Sequence, residues 1–139
     1  NSTGVRNTAV GASALSYNTS GDYNVAIGTS SLNFNTTGYS NSSLGYQSLW
    51  SNTTGHNNVG NGISALRSNT TGSSNVAVGT QTMRNNTTGQ YNVAIGGAAL
   101  YQNTVKSSSV AVGYEALYNN GSGANSANAE ATYNTAIGT

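Results

Sequence analysis

The sequence predicts an all-β fold of stacked repeats, a β-solenoid or β-roll with about eight coils. Three observations predict it: glycines recur every 17 residues, each unit holds a short β-prone segment, and each unit ends in an Asn-Thr-Thr turn sequence. Helical repeats pair two helices in roughly thirty residues or more. The frequent Gly, Asn, Thr and Val also disfavour helices. We therefore treat residues 1–139 as a single repetitive region.

The repeat is defined by columns of identical residues 17 positions apart. The first glycine column consists of Gly11, Gly28, Gly45, Gly62, Gly79, Gly96 and Gly113. A second glycine column begins at Gly4, a leucine column at Leu15, and two asparagine columns at Asn7 and Asn18. The consensus unit is G-x-x-N-V-A-I-G-x-x-x-L-x-x-N-T-T. One break adds eight residues within 119–133, which predicts a loop on one side of the solenoid.

Each unit is predicted to contain two short strands and two turns. The V-A-I segment is β-prone and bounded by Asn and Gly, and the segment around Leu32 is a weaker second strand. The N-T-T-G segment is a turn, in which Asn caps backbone amides and Gly supplies a positive φ. Coils stacked at about 4.8 Å would form a rod about 38 Å long.

Side-chain alternation predicts which residues form the core. Val25 and Ile27 should lie on one side of the strand and Ala26 on the other. We expect Val, Ile and Leu32 to form the core and the alanines to meet another chain. Such a core is thin, because ordering the backbone costs about 1–2 kcal/mol per residue. Hydrogen bonds between coils and association of chains, three being favoured, should compensate.

Composition excludes several function classes. The chain carries four Lys or Arg, three Asp or Glu, and a net charge of +1. Scattered cations do not favour nucleic acid or a polybasic membrane contact, and no segment is long enough to insert in a membrane. The absence of Cys excludes disulfides and thiolate metal sites. The first residue, Asn1, suggests a processed product or a part of something longer.

Catalysis is not predicted, because titratable groups do not converge. His56 is the one histidine and falls in a variable turn position, while Asp22, Glu115 and Glu130 are far apart in the repeat. Glycines spaced by 17 residues are turn residues and form no phosphate loop. A calcium-binding roll would need rows of acids. We therefore expect no enzyme activity, no cofactor and no metal.

Four segments resemble the repeats of phage and viral tail-fibre proteins, whose chains often end in an endosialidase-type intramolecular chaperone. They are NTAVGASALSYNTSG (7–21), NVAIGTSSLNFNTTG (24–38), NVAVGTQTMRNNTTG (75–89) and NVAIGGAALYQNT (92–104). SVAVG (109–113) partially resembles the heads of trimeric autotransporter adhesins, left-handed β-rolls with a shorter period. Both resemblances imply a homotrimeric fibre that reaches a cell surface. They imply an extracellular or virion location, flanking fibre domains, and a surface glycan or receptor as partner.

The sequence leaves the binding surface open. Trp50, Tyr101 and Tyr118 share one column and are candidates for stacking on sugar rings; alternatively, these rings stack along the rod or pack between chains. A threonine column from Thr19 to Thr104 suggests ice or glycan binding by a single-chain solenoid, although its threonines fall in a turn. The N-x-[ST] triplets beginning at Asn18 match glycosylation acceptors, or they are turn motifs repeated by duplication.

Overall fold

A computed structural model of the chain describes residues 2–121 and 133–138. Within them the chain forms a parallel β-solenoid with one strand in each coil. The strands are β1 (Thr8–Val10), β2 (Val25–Ile27), β3 (Ser42–Leu44), β4 (Val59–Asn61), β5 (Val76–Val78), β6 (Val93–Ile95), β7 (Val110–Val112) and β8 (Thr135–Ile137). They form one parallel sheet in chain order. The predicted β-solenoid is thus confirmed.

The strands pair in register at the period of the sequence. Val25 lies opposite Ser42, and Ala26 opposite Ser43, each 17 residues further on. About six turns of this kind separate β1 from β7. The passage from Val110 to Thr135 takes 25 residues, and most of the insertion at 119–133 lies outside the described residues. Eight complete coils and a trimer stay predictions.

The predicted orientation of the strands is wrong. Ala26 is fully buried, whereas Val25 and Ile27 are each 38% exposed. The alanines therefore contact the interior of their own coil instead of another chain. The Val/Ile core is absent from the solenoid, and its interior holds the leucine column packed against alanines of the strand and of the following turn. Its members include Leu32, Leu49, Leu66, Met83, Leu100, Ala26, Ala77, Ala94 and Ala111.

The segment around Leu32 is a turn and forms no second strand. Leu32 has a φ of 50°, in the left-handed region, as do all other members of the leucine column. This conformation costs energy for leucine, because its Cβ comes close to a backbone carbonyl oxygen. It is supported by the stack, because Leu32 N donates a hydrogen bond to Ser48 O of the next coil at 2.9 Å, while the Leu32 side chain is fully buried.

The two glycine columns serve different purposes. Gly28 has a φ of 126°, and a Cβ there would lie 2.7 Å from Gly45 O of the next coil. Gly38, in the N-T-T-G turn, is not among the residues with positive φ, so that part of the prediction is wrong. A Cβ at Gly38 would instead lie 2.3 Å from Asn35 Oδ1. The turn glycine is required by close packing against the buried asparagine.

Two ladders of buried asparagine side chains complete the interior. In one, Asn41 Nδ2 donates to Asn24 Oδ1 of the preceding coil at 3.1 Å and to Gly55 O at 2.9 Å. In the other, Asn35 Nδ2 donates to Asn18 Oδ1 at 2.7 Å and to Gly38 O at 2.8 Å. Buried amides are tolerated because these bonds satisfy them. The predicted hydrogen bonding between coils is confirmed.

Candidate functional surfaces

The largest regular surface is the outward side of the sheet, which we call the strand face. It consists of two columns, and both are uncharged throughout. One column holds Thr8, Val25, Ser42, Val59, Val76, Val93, Val110 and Thr135, and the other holds Val10, Ile27, Leu44, Asn61, Val78, Ile95, Val112 and Ile137. Exposure reaches 44% at Leu44 and Ile95 and 56% at Val10. A regular, uncharged and mostly apolar patch of this kind is a candidate interaction surface.

The dimensions of the strand face follow from strand geometry. Eight strands at about 4.8 Å and three residues at about 3.3 Å cover on the order of 400 Å². Tyr46, Ile63 and Tyr114 each follow a strand by two residues and are more than half exposed. The sequence interpretation missed this surface because alternation in V-A-I does not say which side is inward. The small size of the middle residue was the available signal.

A second surface is a stack of rings and guanidinium groups, one from each of seven coils, which we call the ladder. Its members are Tyr17, Phe34, Trp50, Arg67, Arg84, Tyr101 and Tyr118. The Tyr17 and Phe34 rings stack at 5.0 Å, and the Phe34 ring meets the Trp50 ring edge-on at 4.8 Å. The Tyr101 and Tyr118 rings stack at 4.9 Å. Rings that stack along the rod were one of the two sequence-based alternatives.

Two arginines occupy the middle of the ladder. The Arg67 guanidinium lies 4.7 Å from the centre of the Trp50 ring, and Arg67 Nε donates to Gln47 Oε1 at 3.0 Å. The Arg84 guanidinium lies 5.8 Å from the centre of the Tyr101 ring, and Arg84 Nη1 donates to Tyr101 Oη at 3.0 Å. The sequence-based interpretation of the cations as scattered overlooked this pair, although both arginines share the 17-residue column of Trp50.

The three candidate sugar-binding rings therefore have neighbours on their faces. Tyr101 and Tyr118 turn one face towards each other with an angle of 4° between the ring planes. One face of Trp50 carries the Arg67 guanidinium. Stacking on a sugar needs a free ring face, and these contacts cover one face of each ring. Trp50, Tyr101 and Tyr118 remain candidates through their remaining faces and edges.

Other aromatic side chains lie in other columns. Tyr46 and Tyr114 share a column but are four coils apart, too far for contact. The exposed Tyr114 has a raised pKa because Glu115 accepts a hydrogen bond from its hydroxyl and adds a negative charge beside it. His56 stacks on Tyr39 with ring centres 4.6 Å apart, and its Nδ1 lies 3.1 Å from Asn57 Nδ2.

The threonine column lies in the turn and holds the coils together. Thr19, Thr36, Thr53, Thr70 and Thr87 each donate a hydrogen bond from Oγ1 to the threonine carbonyl of the next coil, at 2.8–3.1 Å. Their hydroxyl protons are therefore already engaged. The asparagines of the N-x-[ST] triplets are buried, and those from Asn35 to Asn86 donate both to another Asn and to a turn carbonyl.

The described residues contain no group of three or more metal-ligating side chains, and no pocket is found on their surface. Asp22 accepts a hydrogen bond from Val5 N at 2.7 Å, and Glu130 lies outside the described residues. Within 2–121 and 133–138 the chain has no helix long and apolar enough to cross a membrane. The glycines Gly11 to Gly113 all have a positive φ, in keeping with their predicted role as turn residues.

The chain was compared with protein-family models, curated proteins and solved structures, and none of the three comparisons gave a match.

Proposed function

We propose that this chain is a structural shaft or adhesive segment of an extracellular or virion fibre, in which three copies associate through the strand face. The observation that carries the proposal is the uncharged, repetitive strand face, whose residues are exposed or half-buried along the stack of coils. The resemblance to tail-fibre repeats and adhesin heads supports the extracellular location, the number three, and a role in attachment to a host or surface.

A further copy of the chain is the partner that best fits the strand face. The face repeats at about 4.8 Å along the rod, and a second copy offers the same repeat, so every coil can make the same contact. Because both columns are uncharged, identical faces can pack together without the desolvation cost of charged side chains. An oligomer with rotational symmetry would use this one patch in every chain.

The strand face needs its flanking residues to reach the area of a stable interface. A standard stable interface buries about 800 Å² on each partner, roughly twice the estimated strand face alone. Tyr46, Ile63 and Tyr114 would enlarge the contact, since they lie two residues beyond the strands and are exposed. Rigidity of the shaft would come from backbone hydrogen bonds along the axis and from the two asparagine ladders.

The first test is the mass of the 139-residue chain in solution by light scattering. We expect a mass near three chains. In a matched pair of double variants, Ile27→Glu with Leu44→Glu places two charges on the strand face, and Thr37→Glu with Thr54→Glu places two on exposed turns of the same coils. The first pair should give a folded monomer, and the second should leave the trimer unchanged.

A clean monomer of the unaltered chain would overturn the association. It would favour the alternative of a single-chain solenoid whose Thr and Asn columns bind ice or a glycan surface. That alternative has less support, because the threonine hydroxyls donate to carbonyls within the rod and the asparagine ladders are buried.

A further inference from the structure

We propose that Arg67 and Arg84 bind the acidic groups of a linear glycan, each guanidinium group donating to a carboxylate or sulfate of the polymer. The inference rests on the adhesive role proposed above and names its ligand class. Only four Lys or Arg occur in 139 residues, yet two of them occupy the same column in adjacent coils. Like charges on adjacent coils repel each other, and bound anions would offset that repulsion.

The two side chains point away from each other. Arg67 leans over Trp50 of the preceding coil, and Arg84 leans over Tyr101 of the following coil. The contacts of the ladder therefore form two groups, one that ends at Arg67 and one that begins at Arg84. The other five members of the ladder are aromatic. Ring packing therefore does not require a charged side chain at these two positions.

Several guanidinium N–H groups have no acceptor in the described part of the chain. Arg67 uses only Nε, towards Gln47, and Arg84 uses only Nη1, towards Tyr101. Arg84 Nε is buried without a hydrogen-bond partner, and it is the one such side-chain atom among the described residues. Within residues 2–121 and 133–138, neither arginine has a carboxylate partner. The buried Arg84 Nε lies out of reach of a ligand, but an oxyanion from outside would accept from the Nη groups that have no acceptor and would supply the missing counter-charge.

The chemistry of the pair favours a carboxylate or a sulfate. Guanidinium groups donate two parallel hydrogen bonds to such oxyanions. The contacts with Trp50 and Tyr101 already hold both side chains in place, so binding requires less ordering of flexible groups. Hydrogen bonds from a guanidinium group to such an anion are charge-assisted and stronger than those to a neutral sugar hydroxyl.

A linear glycan fits the surroundings of the pair. The ladder runs along the rod from Tyr17 to Tyr118, which suits an extended polymer better than a compact ligand. Trp50 and Tyr101 have ring faces occupied by the arginines themselves. Neutral sugars therefore find little stacking surface at this point, and charge must supply the recognition. The aromatic edges on either side would contact the neighbouring sugar units.

The test uses the intrinsic fluorescence of Trp50, the chain's one tryptophan, because the Arg67 guanidinium lies against its ring. The probes are a heparin hexasaccharide for sulfate, a galacturonate hexamer for carboxylate, and maltohexaose as the neutral control. We expect saturable binding of at least one acidic probe and none of maltohexaose. The acidic probe that binds identifies the preferred oxyanion.

Substitutions locate the site. Arg67→Gln and Arg84→Gln should each weaken binding about tenfold, the loss of one charged hydrogen bond. Arg84→Lys keeps the charge without the planar fork and should bind better than Arg84→Gln. Arg6→Gln is the matched control, because Arg6 also lies over a ring, that of Tyr23 at 5.1 Å, in a different column. It should bind like the unaltered chain.

The inference would be overturned by equal binding of maltohexaose, by an equal loss with Arg6→Gln, or by equally tight binding of a hexanucleotide. The last would indicate a general polyanion site. If no acidic probe binds while circular dichroism shows an intact fold, the glycan site is wrong. The shaft function is judged separately by the oligomeric mass, which these substitutions should leave unchanged.

Discussion

Asn52 joins its side chain to that of Asn35 one coil earlier: Asn52 Nδ2 donates a hydrogen bond to Asn35 Oδ1 at 2.8 Å. The same nitrogen donates to Gly55 O at 2.9 Å, and Asn52 Oδ1 accepts from Asn69 Nδ2 at 2.8 Å. Each asparagine of the column thus serves as donor and acceptor. Such a ladder allows a narrow, polar interior to remain fully hydrogen-bonded.

Replacing Asn52 with Ala should lower the free energy of unfolding by about 2–4 kcal/mol, because it leaves buried polar groups of Asn35 and Asn69 unsatisfied. Urea unfolding followed by circular dichroism measures the effect. Ser51→Ala, a neighbour whose side chain makes no hydrogen bond within the described residues, is the control and should change stability by less than about 0.5 kcal/mol. Equal effects of the two substitutions would show that the asparagine ladder does not stabilise the rod.

Gly79→Val should disrupt its coil. Gly79 has a φ of 132°, and a Cβ there would lie 2.8 Å from the carbonyl of Gly96 in the next coil. Strain and collision together should cost roughly 3 kcal/mol and lower the melting temperature. Gly97→Ala is the matched control, because Gly97 has no positive φ and a Cβ there would be 3.3 Å from the edge of Tyr114. An unchanged melting temperature for Gly79→Val would refute the backbone argument.

The inward direction of the alanines can be tested on neighbouring residues. Ala94 is fully buried, whereas Val93 of the same strand is half-buried and faces outward. Ala94→Leu should destabilise the chain by about 1–3 kcal/mol through overpacking. Val93→Leu should change stability by less than about 0.5 kcal/mol. Thermal melts of both variants decide the point, and the reverse ranking would restore the Val/Ile core predicted from the sequence.

Leu66→Ala should cost about 2–5 kcal/mol, because it opens a cavity in the interior where Leu66 is fully buried. Ile63→Ala removes a side chain of similar size three residues earlier, at a position 53% exposed. Its effect on the free energy of unfolding should be small, although it reduces the surface proposed to flank the strand face. Comparable destabilisation by both variants would argue against the leucine column as the core.

Tyr114 should titrate above the usual tyrosine pKa, since the Glu115 carboxylate accepts a hydrogen bond from its neutral hydroxyl and repels the phenolate. The contribution of this pair to stability is complete below the tyrosine pKa of the unfolded chain and is lost as the pH rises through the raised value. NMR titration of the Tyr114 ring measures the shift. Glu115→Gln should lower the pKa of Tyr114; no change would assign the shift to another cause.

Much of the fold could be predicted because identical residues recur at the same position of every 17-residue unit. Gly28 and its column fix a backbone conformation that other residues avoid, so their spacing gives the coil length directly. The strand at Val25–Ile27 was also predictable, from β-branched residues between Asn and Gly. The second strand predicted around Leu32 does not form, because Leu32 adopts a left-handed conformation that is unfavourable for an isolated leucine.

The candidate surfaces were less predictable, since they depend on contacts between coils. Trp50 and Tyr101 could be placed in one column from the sequence, but not the approach of Arg67 and Arg84 to their faces. Nor could the sequence say that the Thr53 hydroxyl donates to Thr70 O rather than to solvent. Such choices depend on side-chain torsions, which column membership leaves open.

The sequence by itself determined the 17-residue period, the register, the turn glycines and the position of the strand, because these follow from local backbone preferences repeated along the chain. Tertiary structure decided which side of the strand is inward. Alternation in V-A-I permits either side, but the coil interior is already filled by leucine and two asparagines. A Cβ at Gly60 would lie 2.6 Å from Ser48 Oγ and 3.3 Å from Leu49 Cγ. Even a methyl group at Gly60 would require Ser48 to shift, and the equivalent positions of the other strands hold only alanine or serine, so the larger Val and Ile face outward.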